Sequence, residues 1–198
     1  IVGVIKPSSK TQITKTCDSC GKKLTWQRDF LVCTNHSTCP AQMENTLEHF
    51  FKIHGQVDGF GSKSIAKLVA GGIDTLEKIY NSNEEDFEKI GFGPVQSKNL
   101  RRELDRSIQV ETEDWRFLSA FGIPQLGRGD SRRLLQHIQI NNLTKVTKEE
   151  LMEIEGFAEI SSTDIVNGLT KRWPTINRML VLGFNLSQTA LLSESEEI

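Results

Sequence analysis

Long apolar runs are absent from this sequence of 198 residues. No stretch approaches the roughly 20 consecutive apolar residues that a membrane-spanning helix requires. The opening Ile1-Val2-Gly3-Val4-Ile5 is too short for a secretory signal peptide. These absences exclude an integral membrane protein and predict a cytoplasmic one. Since the chain begins with Ile instead of Met, we also expect it to be a piece of a longer protein.

An excess of positive charge is missing as well. The 24 basic and 26 acidic residues give a net charge of −2. This balance weighs against a protein that coats nucleic acid nonspecifically, because such a protein needs a basic face. Positive and negative charges are nevertheless concentrated in different segments of the chain. Basic residues dominate positions 116–145, whereas acidic clusters lie at 84–86 and 194–197.

Cysteine is scarce, and all four copies fall in one short segment, at Cys17, Cys20, Cys33 and Cys39. Two such pairs joined by a loop can place four thiolates tetrahedrally around one Zn²⁺, and Gly21 lets the backbone turn back toward the sulfurs. Disulfides are the alternative, but they belong to exported chains. A redox pair at Cys17 and Cys20 would leave the other two cysteines unexplained. We therefore predict a structural zinc site, which has no open coordination position and performs no chemistry.

Behind the cysteines, small hairpins recur at nearly constant spacing. The second small residue of each hairpin is Gly61, Gly93, Gly127 or Ala158, which gives steps of 32, 34 and 31 residues. Apolar residues at helical spacing follow each hairpin. The repeat predicts a mainly α fold, in which a small four-cysteine zinc finger precedes a helix-hairpin-helix array of four units.

Each predicted hairpin combines a tight turn with the exposed start of a helix. The first glycine permits a positive φ, and the second lets a ligand approach the backbone. Free amides and the helix dipole then attract an anion, for which a nucleic-acid phosphate is the natural candidate. Since phosphates carry no sequence information, we expect shape-based recognition of a duplex across the minor groove. The predicted DNA contacts are Gly59, Gly61, Ser62, Lys63, Gly91, Gly93, Lys98, Gly127, Arg128 and Arg132.

The four hairpins are not expected to contribute equally. Lys89 stands where the repeat would place an apolar residue, and in the fourth hairpin Ala158 precedes Glu159, whose carboxylate would repel phosphate. We expect the first and third hairpins to carry more of the binding. The apolar residue within a hairpin, such as Phe60, should lock the two helices together and not stack on bases. Hairpins that merely join helices in a bundle are the alternative, which four regularly spaced copies make less favourable.

In this order the motifs resemble those of the bacterial NAD-dependent DNA ligase family, over roughly residues 1–185. The resemblance implies the end of an oligonucleotide-binding barrel at 1–12, a zinc finger at 13–50 and a helix-hairpin-helix domain at 51–185. The acidic, serine-containing composition of the tail predicts a linker at 186–198. The resemblance rests on Cys17-Asp18-Ser19-Cys20-Gly21, Cys33-Thr34-Asn35, Cys39-Pro40-Ala41-Gln42, His49-Phe50, Gly59-Phe60-Gly61-Ser62-Lys63, Phe121-Gly122-Ile123 and Ile154-Glu155-Gly156-Phe157.

The resemblance also implies a partner and a reaction. Members of this family encircle nicked duplex DNA and join its strands after forming a lysine–AMP adduct from NAD. The adenylated lysine, its Lys-x-Asp-Gly motif and the NAD site lie in the family's N-terminal half, and this chain contains no such motif. We therefore expect a monomeric, non-catalytic part of a ligase that acts in replication and repair. It would bind structural zinc itself, and the rest of the parent enzyme would bind NAD.

Two other hypotheses stay open at this point. One is a non-enzymatic repair or recombination mediator with zinc and helix-hairpin-helix modules. In the mediators with these modules the hairpin precedes the zinc site, whereas here the zinc site comes first. The other is a module that binds only proteins, which the net charge of −2 would favour.

Overall fold

A computed structural model describes residues 13–27, 29–55 and 57–192. The chain divides into two compact units between Met43 and Glu44. The expected barrel strand at 1–12 and the end of the expected acidic linker, 193–198, lie outside the described residues. Within the described part, no helix combines the length and the apolar character needed to cross a membrane.

The first unit contains a short antiparallel hairpin. Strand β1 (Thr25–Gln27) pairs with strand β2 (Phe30–Val32). Strands of three residues with mostly exposed side chains bury too little apolar surface to be stable alone. Two of the cysteines precede this hairpin and two follow it, so a link among the four would hold the unit together.

The second unit is helical, which confirms the predicted mainly α fold. A short 3-10 helix covers Ile140–Lys145, and strands β3 (Thr112–Glu113) and β4 (Leu186–Ser187) form a second small sheet. The α-helices, of which the first starts in the preceding unit, are α1 (Pro40–His54), α2 (Ser62–Ala70), α3 (Leu76–Asn81), α4 (Glu84–Lys89), α5 (Pro94–Gln109), α6 (Asp114–Ser119), α7 (Arg128–Leu135), α8 (Lys148–Met152) and α9 (Glu159–Val181).

The same arrangement of a hairpin, a connector and a second hairpin occurs in both halves of the array. The four predicted hairpins join α1 to α2, α4 to α5, α6 to α7 and α8 to α9. A connector, α3 in the first half and the 3-10 helix in the second, separates the two hairpins of each half. The apolar residues at the hairpin centres, Phe60, Phe92, Leu126 and Phe157, are only 5, 4, 2 and 6% exposed. Their burial confirms that these side chains lock the helices together.

Aromatic residues make up only 7% of the chain, yet many of them form one cluster in the second unit. Phe51 of α1 stacks on Phe60 of the first hairpin with ring centroids 4.4 Å apart. Phe50 meets Phe121, which precedes the third hairpin, edge-on at 5.3 Å. Because such ring pairs stabilise packing beyond simple area burial, the cluster fixes α1 between the first and third hairpins.

The segment after α9 folds back onto the array. Strand β4 pairs in parallel with β3, and the buried carboxylate of Asp114 accepts hydrogen bonds from the hydroxyl and the backbone amide of Thr189. The amide of Leu192 donates to the carbonyl of Gln136 at 2.9 Å. The expected linker from residue 186 onward therefore starts with seven residues, 186–192, that lie against the folded unit. The acidic composition of 194–197, on which the linker was predicted, gives no sign of these distant partners.

Candidate metal centre and nucleic-acid interface

The four cysteines converge on one point of the first unit. All four sulfur atoms lie within 4.8 Å of one another. Cys17 Sγ is 3.8 Å from Cys39 Sγ, and Cys20 Sγ is 3.7 Å from Cys33 Sγ. Tetrahedral zinc with Zn–S bonds of about 2.3 Å separates its sulfurs by about 3.8 Å. A disulfide would bring two of them to about 2.05 Å. The cluster is thus a set of four free thiols arranged to hold one metal ion.

Backbone turns orient these sulfur atoms toward one another. The amide of Cys17 donates to the carbonyl of Lys22 at 2.8 Å, and Gly21, with φ of +69°, donates to the carbonyl of Cys17 at 2.7 Å. The backbone N–H of Lys22 and then the side chain of Asn35 lower the pKa of Cys20 to about 6. The turn therefore favours the thiolate of Cys20, the form that binds metals, whereas burial and the neighbouring cysteines raise the pKa of Cys33 to about 11.

In each of the four hairpins, the residue two positions before the second small residue has a positive φ. These residues are Gly59 (+88°), Gly91 (+96°), Gln125 (+61°) and Gly156 (+94°). This backbone region favours glycine, so the glycine pattern did not reveal Gln125 as the turn residue of the third hairpin. At Gly156 a Cβ would also lie 2.7 Å from the guanidinium of Arg133. The first small residue of a hairpin therefore serves the fold itself.

At the second small residue of each hairpin, the fold itself has much less need of glycine. Gly61, Gly93, Gly127 and Ala158 have extended backbone and are the N-caps of α2, α5, α7 and α9. Among the residues that the structure describes, no side chain caps α2, α5 or α7. A Cβ placed on Gly61, Gly93 or Gly127 would meet no atom of the described part of the chain within 4 Å. Neither φ nor packing requires glycine at these positions, and the helix amides that follow are open to an external ligand.

The basic residues that were predicted to contact DNA are not neutralised by ion pairs among the described residues. All four are exposed and have no ion-pair partner among the residues that the structure describes: Lys63, Lys98, Arg128 and Arg132. Several other cations of the array are paired, as Lys78 Nζ is with Asp74 Oδ1 at 2.7 Å. The unpaired charges are available to the phosphates of a partner.

Open depressions lie beside the first and the third hairpin. The first has a volume of about 350 Å³ and is lined by Gly61 and Ser62 together with Lys52 of α1. The second, of about 260 Å³, is lined by Gly127 and Arg128. Each depression thus contains an N-cap glycine and the first residue of the following helix. Lys52 was not predicted as a contact, because only the packing of α1 brings it to this place.

The second and fourth hairpins offer less to an anion. Pro94, the first residue of α5, has no N–H. Glu159, the first residue of α9, is acidic and pairs with Lys148 at 2.7 Å. The amide of Ala158 donates to Ser161 Oγ at 2.9 Å, so the fourth hairpin occupies one of its own donors. These differences favour the first and third hairpins as the main anion-binding elements.

Comparisons with known proteins agree with this architecture. Residues 55–106 match the family model of the SAM-like helix-hairpin-helix tandem. The chain is 46% identical over 193 residues to a DNA ligase of Desulfatibacillum aliphaticivorans, which covers 98% of this chain and 30% of that protein. It is 45% identical over 195 residues to a DNA ligase of Shewanella baltica, with 98% and 30% covered, and 42% identical over 194 residues to one of Desulfotalea psychrophila, with 96% and 29% covered. The chain therefore spans about three tenths of the length of these curated relatives and matches their C-terminal part.

Proposed function

We propose that this chain, which is homologous over nearly its whole length to the C-terminal part of bacterial DNA ligases, is the part of such an enzyme that grips the backbone of nicked duplex DNA. The proposal assigns NAD-dependent strand joining in replication and repair to the parent protein. Adenylation would use residues outside this chain, which would be non-catalytic by itself. The parent would act in the cytoplasm, and this part would be monomeric.

One observation carries the proposal, namely the open N-cap glycines at the starts of α2 and α7. The amides and the dipole of a helix N-terminus form a binding site for phosphate. At Gly61 and Gly127 no side chain of residues 13–27, 29–55 or 57–192 caps those amides or fills the space beside the glycine. The unpaired Lys63 and Arg128 lie next to them. Contacts of this kind would recognise the duplex backbone across the minor groove without reading its sequence.

We propose zinc as the metal of the four-cysteine cluster and assign it a structural role. Zinc accepts four thiolates in a tetrahedron, and the sulfur–sulfur distances of 3.7 and 3.8 Å fit that geometry. With four sulfur ligands no position is left for a substrate. The ion would instead stabilise a unit whose strands are too short to fold alone.

The comparisons favour the ligase over the non-enzymatic mediator. The relatives named above are DNA ligases, and the array follows the cysteine cluster in the chain. The hypothesis of a module that binds only proteins predicts no affinity for DNA, so it is separated from the ligase by a binding measurement.

Substitution of the N-cap glycines tests the proposed contact. The φ values of −81° at Gly61 and −72° at Gly127 suit any residue, so Gly61→Val and Gly127→Val should leave helix content unchanged. Each valine would block approach to the amides, and we expect each to weaken binding to a labelled nicked duplex at least about tenfold, since a charge-assisted hydrogen bond contributes about 1.5–3 kcal/mol.

Ala158→Val is the matched control, because it places the same side chain at the same position of the fourth hairpin. Its affinity for the nicked duplex should fall by much less than about tenfold, because Glu159 and the occupied amide of Ala158 make the fourth hairpin unsuited to phosphate. Wild-type affinity in both glycine variants would show that the hairpin mechanism is wrong. An unmodified chain that binds no DNA would support the protein-interaction hypothesis instead.

A further inference from the structure

Two large aliphatic side chains are exposed at the same position of two hairpins. Val95 is 76% exposed and Ile160 is 68% exposed, and each is the second residue of its helix, α5 or α9. The equivalent residue is Lys63 in the first hairpin and Gly129 in the third. The array thus alternates between a polar or open position in the first and third hairpins and an aliphatic one in the second and fourth.

The preceding residue alternates in the same way. Ser62 and Arg128 begin α2 and α7, whereas Pro94 and Glu159 begin α5 and α9. Proline lacks the N–H that would bind an anion, and glutamate repels one. The second and fourth hairpins therefore share the backbone geometry of the first and third but present a surface unsuited to phosphate.

We propose that the second and fourth hairpins contact deoxyribose in the minor groove, where Val95 and Ile160 make the array select DNA over RNA. The inference rests on the proposed function, in which the hairpins approach a duplex across that groove. Sugars line the groove, and ribose adds a 2′-hydroxyl there that deoxyribose lacks. An aliphatic side chain packs against the C–H surface of deoxyribose. Against ribose it would remove water from the hydroxyl and supply no hydrogen-bond partner, which is unfavourable.

Another exposed aliphatic side chain of the array provides a control away from the hairpins. Val181 is 78% exposed and ends α9, the helix that Ile160 begins. At 1.5 Å per residue, the two side chains are separated by about 30 Å along the helix. A substitution at Val181 therefore changes exposed aliphatic surface without touching the proposed sugar contact.

The test compares two duplexes of one sequence, an all-DNA duplex and a duplex with single ribonucleotides interspersed in both strands. Threonine keeps the branch at Cβ and replaces a methyl group of Val95 and the ethyl group of Ile160 by a hydroxyl. Since both side chains are exposed, the double variant Val95→Thr, Ile160→Thr should fold normally. By fluorescence anisotropy, we expect the unmodified chain to prefer the all-DNA duplex by about five- to twentyfold. The double variant should lose most of this preference, and Val181→Thr should retain it.

The outcomes separate this inference from the proposed function. A double variant that keeps the full preference for DNA overturns the inference, as does equal affinity of the unmodified chain for the two duplexes. In both cases tight binding of the all-DNA duplex would still support the proposed function. If the unmodified chain binds neither duplex, both the proposed function and the inference built on it are wrong.

Discussion

His54 should make the second unit sensitive to acid. Its ring is fully buried and stacks on Phe50 with centroids 5.4 Å apart. Among the described residues, no hydrogen bond of ordinary geometry reaches its ring nitrogens, and a backbone contact with Ser107 only partly offsets the two effects that follow. Burial, and after it the positive charge of Arg116, lower the pKa of His54 from 6.5 to about 4. The folded protein therefore holds this imidazole in its neutral form.

The sign of the effect follows from the direction of the pKa shift. As the pH falls below 6.5, the unfolded chain takes up the proton while the folded chain does not until about pH 4. The stabilisation is fully present above the unfolded pKa, declines by about 1.4 kcal/mol per pH unit below it, and the loss is complete near the folded pKa. Over the whole interval the loss amounts to about 3 kcal/mol.

Urea denaturation followed by circular dichroism measures this loss, because nearly all helical residues belong to the second unit. The variant His54→Leu replaces the titrating imidazole by an apolar side chain of similar size. The difference between the two pH profiles then isolates His54 from carboxylates and thiolates that titrate in the same range. We expect the unmodified chain to lose about 1.4 kcal/mol more than the variant per pH unit below about pH 6. Parallel profiles for the two proteins would refute the reasoning.

Four further substitutions have expected outcomes. Cys33→Ser should abolish stoichiometric zinc binding, measured by elemental analysis, and full retention of the metal would contradict the four-thiolate site. Asp114→Ala leaves two donors of Thr189 without their acceptor, so the free energy of unfolding should fall by about 1–3 kcal/mol, and no change in urea denaturation would show that this contact is unimportant. Gly156→Ala forces a side chain into a positive φ, so it should cost about 1–2 kcal/mol. Gly61→Ala should change stability by less than about 0.5 kcal/mol. Equal melting temperatures for the two variants would contradict this distinction.

Features encoded in local spacing could be predicted from the sequence. The cysteine intervals specify two turns, and two turns are sufficient to bring the four sulfurs together. The helix starts after Gly61, Gly93 and Gly127 follow from the repeat, since a small residue before an apolar helical pattern is a local signal. The burial of Phe60 follows from the same pattern.

Features that depend on distant partners could not be predicted. Gln125 adopts a positive φ although no glycine marks the turn, because the flanking Ile123 and Leu126 are buried and hold the backbone in that shape. Asp114 and Thr189 are 75 residues apart, and neither segment alone predicts the pairing of β3 with β4. The sequence also does not distinguish paired from unpaired cations, which depends on the packed helices.

The central claim, that the array grips the DNA backbone through phosphates, is tested most directly by a salt titration. Binding of the 198-residue chain to a labelled nicked duplex would be measured by fluorescence anisotropy at several salt concentrations. We predict binding that weakens as salt rises, with a log–log slope corresponding to about four to eight phosphate contacts. Absence of binding at low salt, or an affinity that does not depend on salt, would contradict the account.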